Sequence, residues 1–379
     1  TGISNIKKHL SNKPANTAVQ ITNLYNKTIP SIVAGYNLDD GLILGIGVHH
    51  IQQQGFRKKP FASAQKISVA HSIATDAYRI KYSGEWIKVF GNADLVLQTT
   101  IKAPDNTTNF FGSGNETVYD QRAQKNISLY RARYNIYNFE PSLRWAGKKY
   151  SSLYLGSSFQ YYHFDTSDNT NKVIGNPALI KTYDSASIIK NKLHAGVFVN
   201  YILDTRNNKI LPSWGAYVNI RLQACAGLNN ASESFMQIIP EVSLYKSVDA
   251  NSAVVIANRI GGGISFGKPA FYQSMFIGGH ENLLGYRQYR FAGTHSLYNN
   301  LEARIRLGNF ASYILPGQSG LVSLFDVGRV WQSGETSNKW HTGYGAGLYF
   351  APAQLAVLQF VAAHSIEGWY PHITLGFRF

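Results

Sequence analysis

An all-β chain of sixteen antiparallel strands, closed as a transmembrane β-barrel with the sixth extracellular loop folded into the lumen, is the fold this sequence predicts. Three observations lead there. From Pro30 onward apolar residues recur with period two, and one face of each segment is wholly aliphatic while the other carries charges in mid-strand. The links between segments sort by length, long and polar on one side and short on the other. Charged residues are only 15% of the 379 against 13% aromatics, which is sparse for a surface that meets water everywhere.

Residues 1–28 are polar and rich in Lys and Asn, and read as a periplasmic lead-in or linker; the barrel is expected over 29–379 as one domain. Leu38-Asp39-Asp40-Gly41 is a hairpin turn. The returning strand sets Leu42, Leu44, Ile46 and Val48 against Gly45, Gly47 and His49. Further on, Ala216, Val218, Ile220 and Leu222 alternate with Tyr217, Asn219, Arg221 and Gln223, and Leu301, Ala303, Ile305 and Leu307 with Glu302, Arg304 and Arg306. A soluble sandwich alternates too. Charges opposite wholly aliphatic faces favour a wet lumen inside and lipid outside.

The strands are expected at 30–37, 42–53, 63–75, 77–90, 94–103, 126–146, 150–164, 191–204, 214–226, 235–247, 252–266, 296–309, 319–332, 341–352, 354–367 and 371–379. An even count puts both termini on one side, read as periplasmic. The long links 104–125, 165–190 and 267–295 then all fall on the other side. No stretch approaches the run of about 20 apolar residues that a membrane helix needs.

Lys and Arg number 36 against 21 Asp and Glu, a formal net charge of +15. Such a balance suits an anionic partner, but the cations are scattered, which argues against nucleic acid and for outer-membrane lipid and lipopolysaccharide. Cys225 is the only cysteine, so no internal disulfide or Cys-based zinc site exists. His49 and His50 point to opposite faces of a strand and cannot share a metal. Gly261-Gly262-Gly263 lacks the Lys-Ser/Thr of a phosphate cradle and reads as a close-packing spot for an inserted loop. No enzyme, metal or cofactor is expected.

The most distinctive stretch is 278–293, GGHENLLGYRQYRFAG. It is too rich in Gly and polar groups for a lipid-facing strand, yet it carries Leu283, Leu284, Tyr286, Tyr289 and Phe291 with Arg287 and Arg290 among them. At the other end, Ile373, Leu375, Phe377 and Phe379 share one face of the last strand, with Thr374, Gly376 and Arg378 on the other.

These residues carry a resemblance to the BamA/TamA outer-membrane assembly superfamily, the bacterial surface antigen barrels. Gly278-Gly279 with Leu283-Leu284-Gly285-Tyr286-Arg287 resembles the [VL]-R-G-[FY] tip of that family's inward sixth loop. Residues 324–331, LFDVGRVW, resemble its F-x-D-x-G-x-[VI]-W strand, and Asp204-Thr205-Arg206-Asn207 with Pro212 and Gly215 its D-x-R-[DN] turn. The motifs Gly35-Tyr36-Asn37, GFRKKP at 55–60 and NFFGSGNE at 109–116 look like barrels of the Bacteroidetes branch, often fused to a metallophosphoesterase, with patatin fusions nearby.

The resemblance implies a monomeric barrel acting as an insertase or translocase. It would act through a lateral seam formed by Ile32 and Ala34 of the first strand with Ile373, Leu375, Gly376, Phe377 and Phe379 of the last. Client outer-membrane or secreted proteins and accessory lipoproteins would be its partners. The alternatives are an anchor or export barrel for a fused N-terminal hydrolase, and a passive pore. The family carries Arg where this chain has Leu284, and pairs it with acids on strands 12 and 13. Glu302 and Asp326 hold those places, so Arg287 or Arg290 is expected to take over the pairing.

Overall fold

The computed structural model describes residues 25–55, 58–119, 127–147, 150–175, 187–310, 316–352 and 356–379. Sixteen strands form one closed sheet: β1 (Lys27–Asn37), β2 (Gly41–Gln52), β3 (Ser63–Ser72), β4 (Ala77–Phe90), β5 (Ala93–Lys102), β6 (Asn135–Ala146), β7 (Ser151–His163), β8 (Lys192–Asp204), β9 (Trp214–Gly227), β10 (Phe235–Ser247), β11 (Val254–Gly267), β12 (His295–Phe310), β13 (Gly317–Trp331), β14 (His341–Pro352), β15 (Leu358–Ser365) and β16 (Gly368–Leu375). Each pairs antiparallel with the next, and β16 meets β1. Residues 1–24, most of the expected lead-in, lie outside the described residues, and β1 begins at Lys27.

Register explains the two faces. Ile32, Ile46, Val69, Ile80 and Ile101 stand opposite one another across β1 to β5, a row of branched side chains on the outer face. Ile46 is 73% exposed, an exposure that hydrocarbon rather than water accommodates. One residue along, Gly47, Ser68, Lys81, Thr100 and Asn138 make the matching inner row. Closure pairs each strand with two neighbours, so backbone groups at membrane depth find partners within the sheet everywhere except along the sparsely paired join of β1 and β16.

Several expected strands have different bounds, the third ending at Ser72 and the fifteenth running Leu358–Ser365, and two differ in a way that matters. The sixth was expected to begin at 126, but β6 begins at Asn135. Before it, Ile127–Tyr130 form a 3-10 turn and Arg131–Arg133 pair with Thr107–Asn109 as a small ribbon. The apolar residues there serve an aromatic cluster instead of lipid. Tyr134 joins Phe110, Phe164 and Phe271, drawn from three different long connections, and Tyr162 of β7, on which Tyr272 stacks at 4.5 Å. The last strand was expected to run to 379 but leaves the sheet after Leu375. Gly376 takes φ +105°, a conformation that breaks the strand alternation.

Candidate functional site

Between β11 and β12 the chain makes one 3-10 turn, Phe271–Gln273, then a ribbon in which Met275–Ile277 pairs with Phe291–Gly293. The tip, 278–290, lies against the buried face of β11 to β16. Gly278 and Gly285 hold it there at φ +123° and +83°. A Cβ on Gly278 would stand 2.7 Å from the Arg290 amide nitrogen, and one on Gly285 2.7 Å from the His364 backbone. Opposite the tip, Gly343 of β14 faces the Leu284 carbonyl, which a Cβ there would meet at 1.9 Å. Gly263 of the triple glycine similarly faces the Met275 thioether, while Gly261 faces Tyr298.

Leu284 is fully buried, packed with Val322, Leu324, Val361 and Ala363, and Leu283 with Ile277, Tyr286, Phe291 and Val330. The backbone makes the polar contacts. The Leu284 N–H donates to Asp326 Oδ2 at 2.8 Å, Asn300 donates to the Asn282 carbonyl at 2.7 Å, and Ser365 donates to the Gly285 carbonyl. Leu284 therefore fills the place with hydrocarbon and an amide.

Neither Arg287 nor Arg290 takes the expected pairing. Arg287 pairs with Asp39 at 3.0 Å and donates to the Leu38 carbonyl. Arg290 pairs with Glu367 at 2.5 Å, donates to Thr117, and lies over Phe111 and Phe291. The reason is position: both arginines sit on the limb of the loop returning to the rim, where the β1–β2 and β15–β16 turns offer carboxylates. Asp39 is accordingly buried, and also accepts the Gln288 N–H at 2.9 Å. Burial pushes the Glu367 carboxyl above its usual range, against the pull of Arg290.

The cation at Asp326 is Arg378. Its Nη1 donates to Oδ1 at 3.1 Å, and Nη2 lies 3.0 Å from Oδ2, close enough for an ion pair but off the hydrogen-bond line. Asn300 donates to the same Oδ1 at 2.8 Å. Arg378 Nε donates to the His280 carbonyl at 3.0 Å, tying the last residues to the loop tip. Glu302 is fully buried and pairs at 2.5 Å with Arg304, two residues along the same strand face. Arg304 also donates to the carbonyls of Pro212 and Phe379.

The inward turn at Gly376 changes the seam. Phe377 and Phe379, expected on the outer face with Ile373 and Leu375, lie inside: Phe377 under Arg304 at 3.7 Å, and Phe379 under Arg259 at 4.8 Å. Ile32, Ala34, Ile373 and Leu375 keep the strand alternation. With 376–379 withdrawn, β1 and β16 share one register position, Tyr36 opposite Ile373, whereas β14 and β15 share seven. Immediately inside lies a cavity of about 410 Å³, lined by β1, β16, the loop tip and Asp39, Asp40 and Arg79.

The connection between β5 and β6 was missed as a functional element. Asn115 donates to the Val330 carbonyl at 2.7 Å and accepts the Val330 N–H, Gly114 donates to the Ala292 carbonyl, and Asn109 donates to the Gln288 carbonyl. It clamps the ribbon and tip from above. The signal was present in Phe110-Phe111-Gly112, too apolar for a solvated loop. Asp204 and Arg206 pair within their turn at 2.9 Å, and His50 turns outward to Thr28, away from His49. Among the described residues no group of three His, Cys, Asp or Glu could hold a metal.

A closed sixteen-stranded sheet with an apolar exterior and a loop on its buried face is matched by one family over most of its length. The sequence model of the Omp85 superfamily domain covers residues 64–379. The chain belongs to the Omp85 superfamily. Solved structures agree on the fold of this Omp85 barrel. BamA from Haemophilus ducreyi lacking POTRA domains 1–3 is similar at 14% identity with a TM-score of 0.66, over 93% of this chain and 70% of that one. CdiB from Escherichia coli matches at 12% identity and 0.58, and CdiB from Acinetobacter baumannii at 10% and 0.54. This chain spans 62% and 59% of those two, less than two thirds of either. No curated protein matches it.

Proposed function

We propose that this Omp85 outer-membrane barrel assembles or secretes proteins by opening between β1 and β16, with both termini in the periplasm and the 278–290 loop seated in the lumen. One observation carries the reading: the strands that close the barrel meet at a single register position, directly beside a cavity of about 410 Å³. Lys27 to Val33 present main-chain groups on the β16 side with no register partner among the described residues. Such an edge accepts an incoming strand by ordinary sheet pairing, and the cavity gives that strand's inward side chains room. The clients are outer-membrane or secreted polypeptides. A passive pore fits less well, because the loop tip and its clamp fill much of the space beneath β11 to β16.

A disulfide across the seam tests the proposal. Tyr36→Cys with Ile373→Cys places two thiols at the one paired position. In cells that depend on the locked chain, the amount of assembled outer-membrane and secreted protein is expected to fall, and to recover with reductant. Unchanged amounts with the bond fully formed would rule out opening at this seam.

A further inference from the structure

The inner face is not uniform in charge. From β6 onward most of its arginines are matched with acids: Arg144 with Glu85 and Asp94, Arg221 with Glu140, Arg304 with Glu302, and Arg378 with Asp326, while Arg306 donates to the Asn251 carbonyl. On β3 to β5, apart from the Glu85 and Asp94 that pair with Arg144, the pattern stops. The side chains of Lys66, Arg79, Lys81 and Lys102 make no hydrogen bond or ion pair among the described residues. Register puts them on one face: Ser68 lies opposite Lys81, Lys66 opposite Ser83, and Lys81 opposite Thr100 two residues before Lys102. Lys81 lies within Coulomb range of Arg79 and Lys66, and Lys102 of Arg79 and Lys81. Glu281 of the loop tip reaches Lys81 and Lys102, and Asp40 of the first turn reaches Lys102.

Four cations held on one wall repel one another, and two acids leave them in excess. The surrounding inner side chains are small: Gly45, Gly47, Ser68, Ala70 and Ser83. Arg79 and Lys81 are exposed, and Arg79 also lines the seam cavity. A basic wall lined by small side chains, beside the edge where a chain would enter, has the chemistry of an anion site.

We propose that the inner wall of β3 to β5 binds acidic stretches of polypeptide, with Lys66, Arg79, Lys81 and Lys102 as the binding residues. This rests on the assembly or secretion reading and names its substrate class: segments rich in Asp and Glu. Glu281, on the loop tip, competes for the same cations until a client's carboxylates displace it.

The test uses the purified full chain in detergent and a short fluorescent Asp-rich peptide, with its Asn counterpart as control. Fluorescence anisotropy is expected to show binding of the Asp peptide that weakens with added salt, and weaker binding of the Asn peptide. Arg79→Gln with Lys81→Gln is expected to lower affinity about tenfold, and Lys66→Gln with Lys102→Gln to lower it similarly. Lys209→Gln with Lys246→Gln, away from the wall, leaves it unchanged. Heat-modifiable gel mobility confirms that each variant is folded. Equal binding of the two peptides, absence of binding, or full affinity in both wall variants would overturn the proposal. So would binding of polyphosphate or sulfated dextran but not of the Asp peptide. The measurement needs no seam opening, so failure of the disulfide test leaves its outcome untouched.

Discussion

Replacing Arg378 with Ala is expected to cost about 3–5 kcal/mol of barrel stability, the range for removing one partner of a buried ion pair. Asp326 would remain fully buried with the Leu284 N–H and Asn300 as its hydrogen-bond donors. Equilibrium unfolding in lipid or detergent reads the loss. The substitution also cuts the bond to the His280 carbonyl, so the loop tip should become more accessible to protease. Asp326→Leu combined with Arg378→Met is expected to recover most of the loss, because an apolar pair leaves no stranded charge. Arg287→Ala is expected to cost less than Arg378→Ala, since its pair with Asp39 is partly exposed and nearer the rim. If Arg287→Ala proved the more damaging, the pairing described for Asp326 would not be what anchors the tip.

The second large effect belongs to Gly343. A side chain there meets the Leu284 carbonyl, a backbone atom that yields only if the whole tip moves. Gly343→Val is expected to cost about 1–3 kcal/mol through overpacking and to push the tip off Asp326. With the tip displaced the barrel should leak, raising single-channel conductance and the uptake of large antibiotics. Gly308→Ala, at a position with nothing within 4 Å, is expected to change neither. Equal conductance in the Gly343→Val variant and the unsubstituted chain would mean that the tip does not limit passage.

The barrel was legible because a period-two pattern repeats through sixteen segments, and each repeat reports the same two environments. Its boundaries failed where local pattern and environment part company. Tyr134 continues the apolar run of β6 yet serves an aromatic cluster assembled largely from other loops. Phe377 and Phe379 continue the alternation of β16, but a positive φ at Gly376 reverses their side, and one glycine in a strand does not announce its conformation. The partner of Asp326 was illegible for the same reason. Arg378 lies 52 residues away on a strand expected to keep it in the sheet, whereas Arg287 and Arg290 stood close in sequence to the tip. Proximity along the chain was the wrong guide, because the loop climbs a full limb between Leu284 and Arg290. Asn115 was hidden more deeply still, since its partners are Val330 and Glu335, more than 200 residues on.

The account turns on the seam being the weakest join in the wall. Amide hydrogen exchange resolved strand by strand measures this directly. The main-chain groups of β1 from Lys27 to Val33 that point toward β16 have no sheet partner there, so they should exchange far faster than amides of β9 to β13, whose registers are continuous or nearly so. Fast exchange confined to β1 and β16, slowed in the Tyr36→Cys with Ile373→Cys disulfide, is the expected result. Uniform protection around all sixteen strands would contradict it.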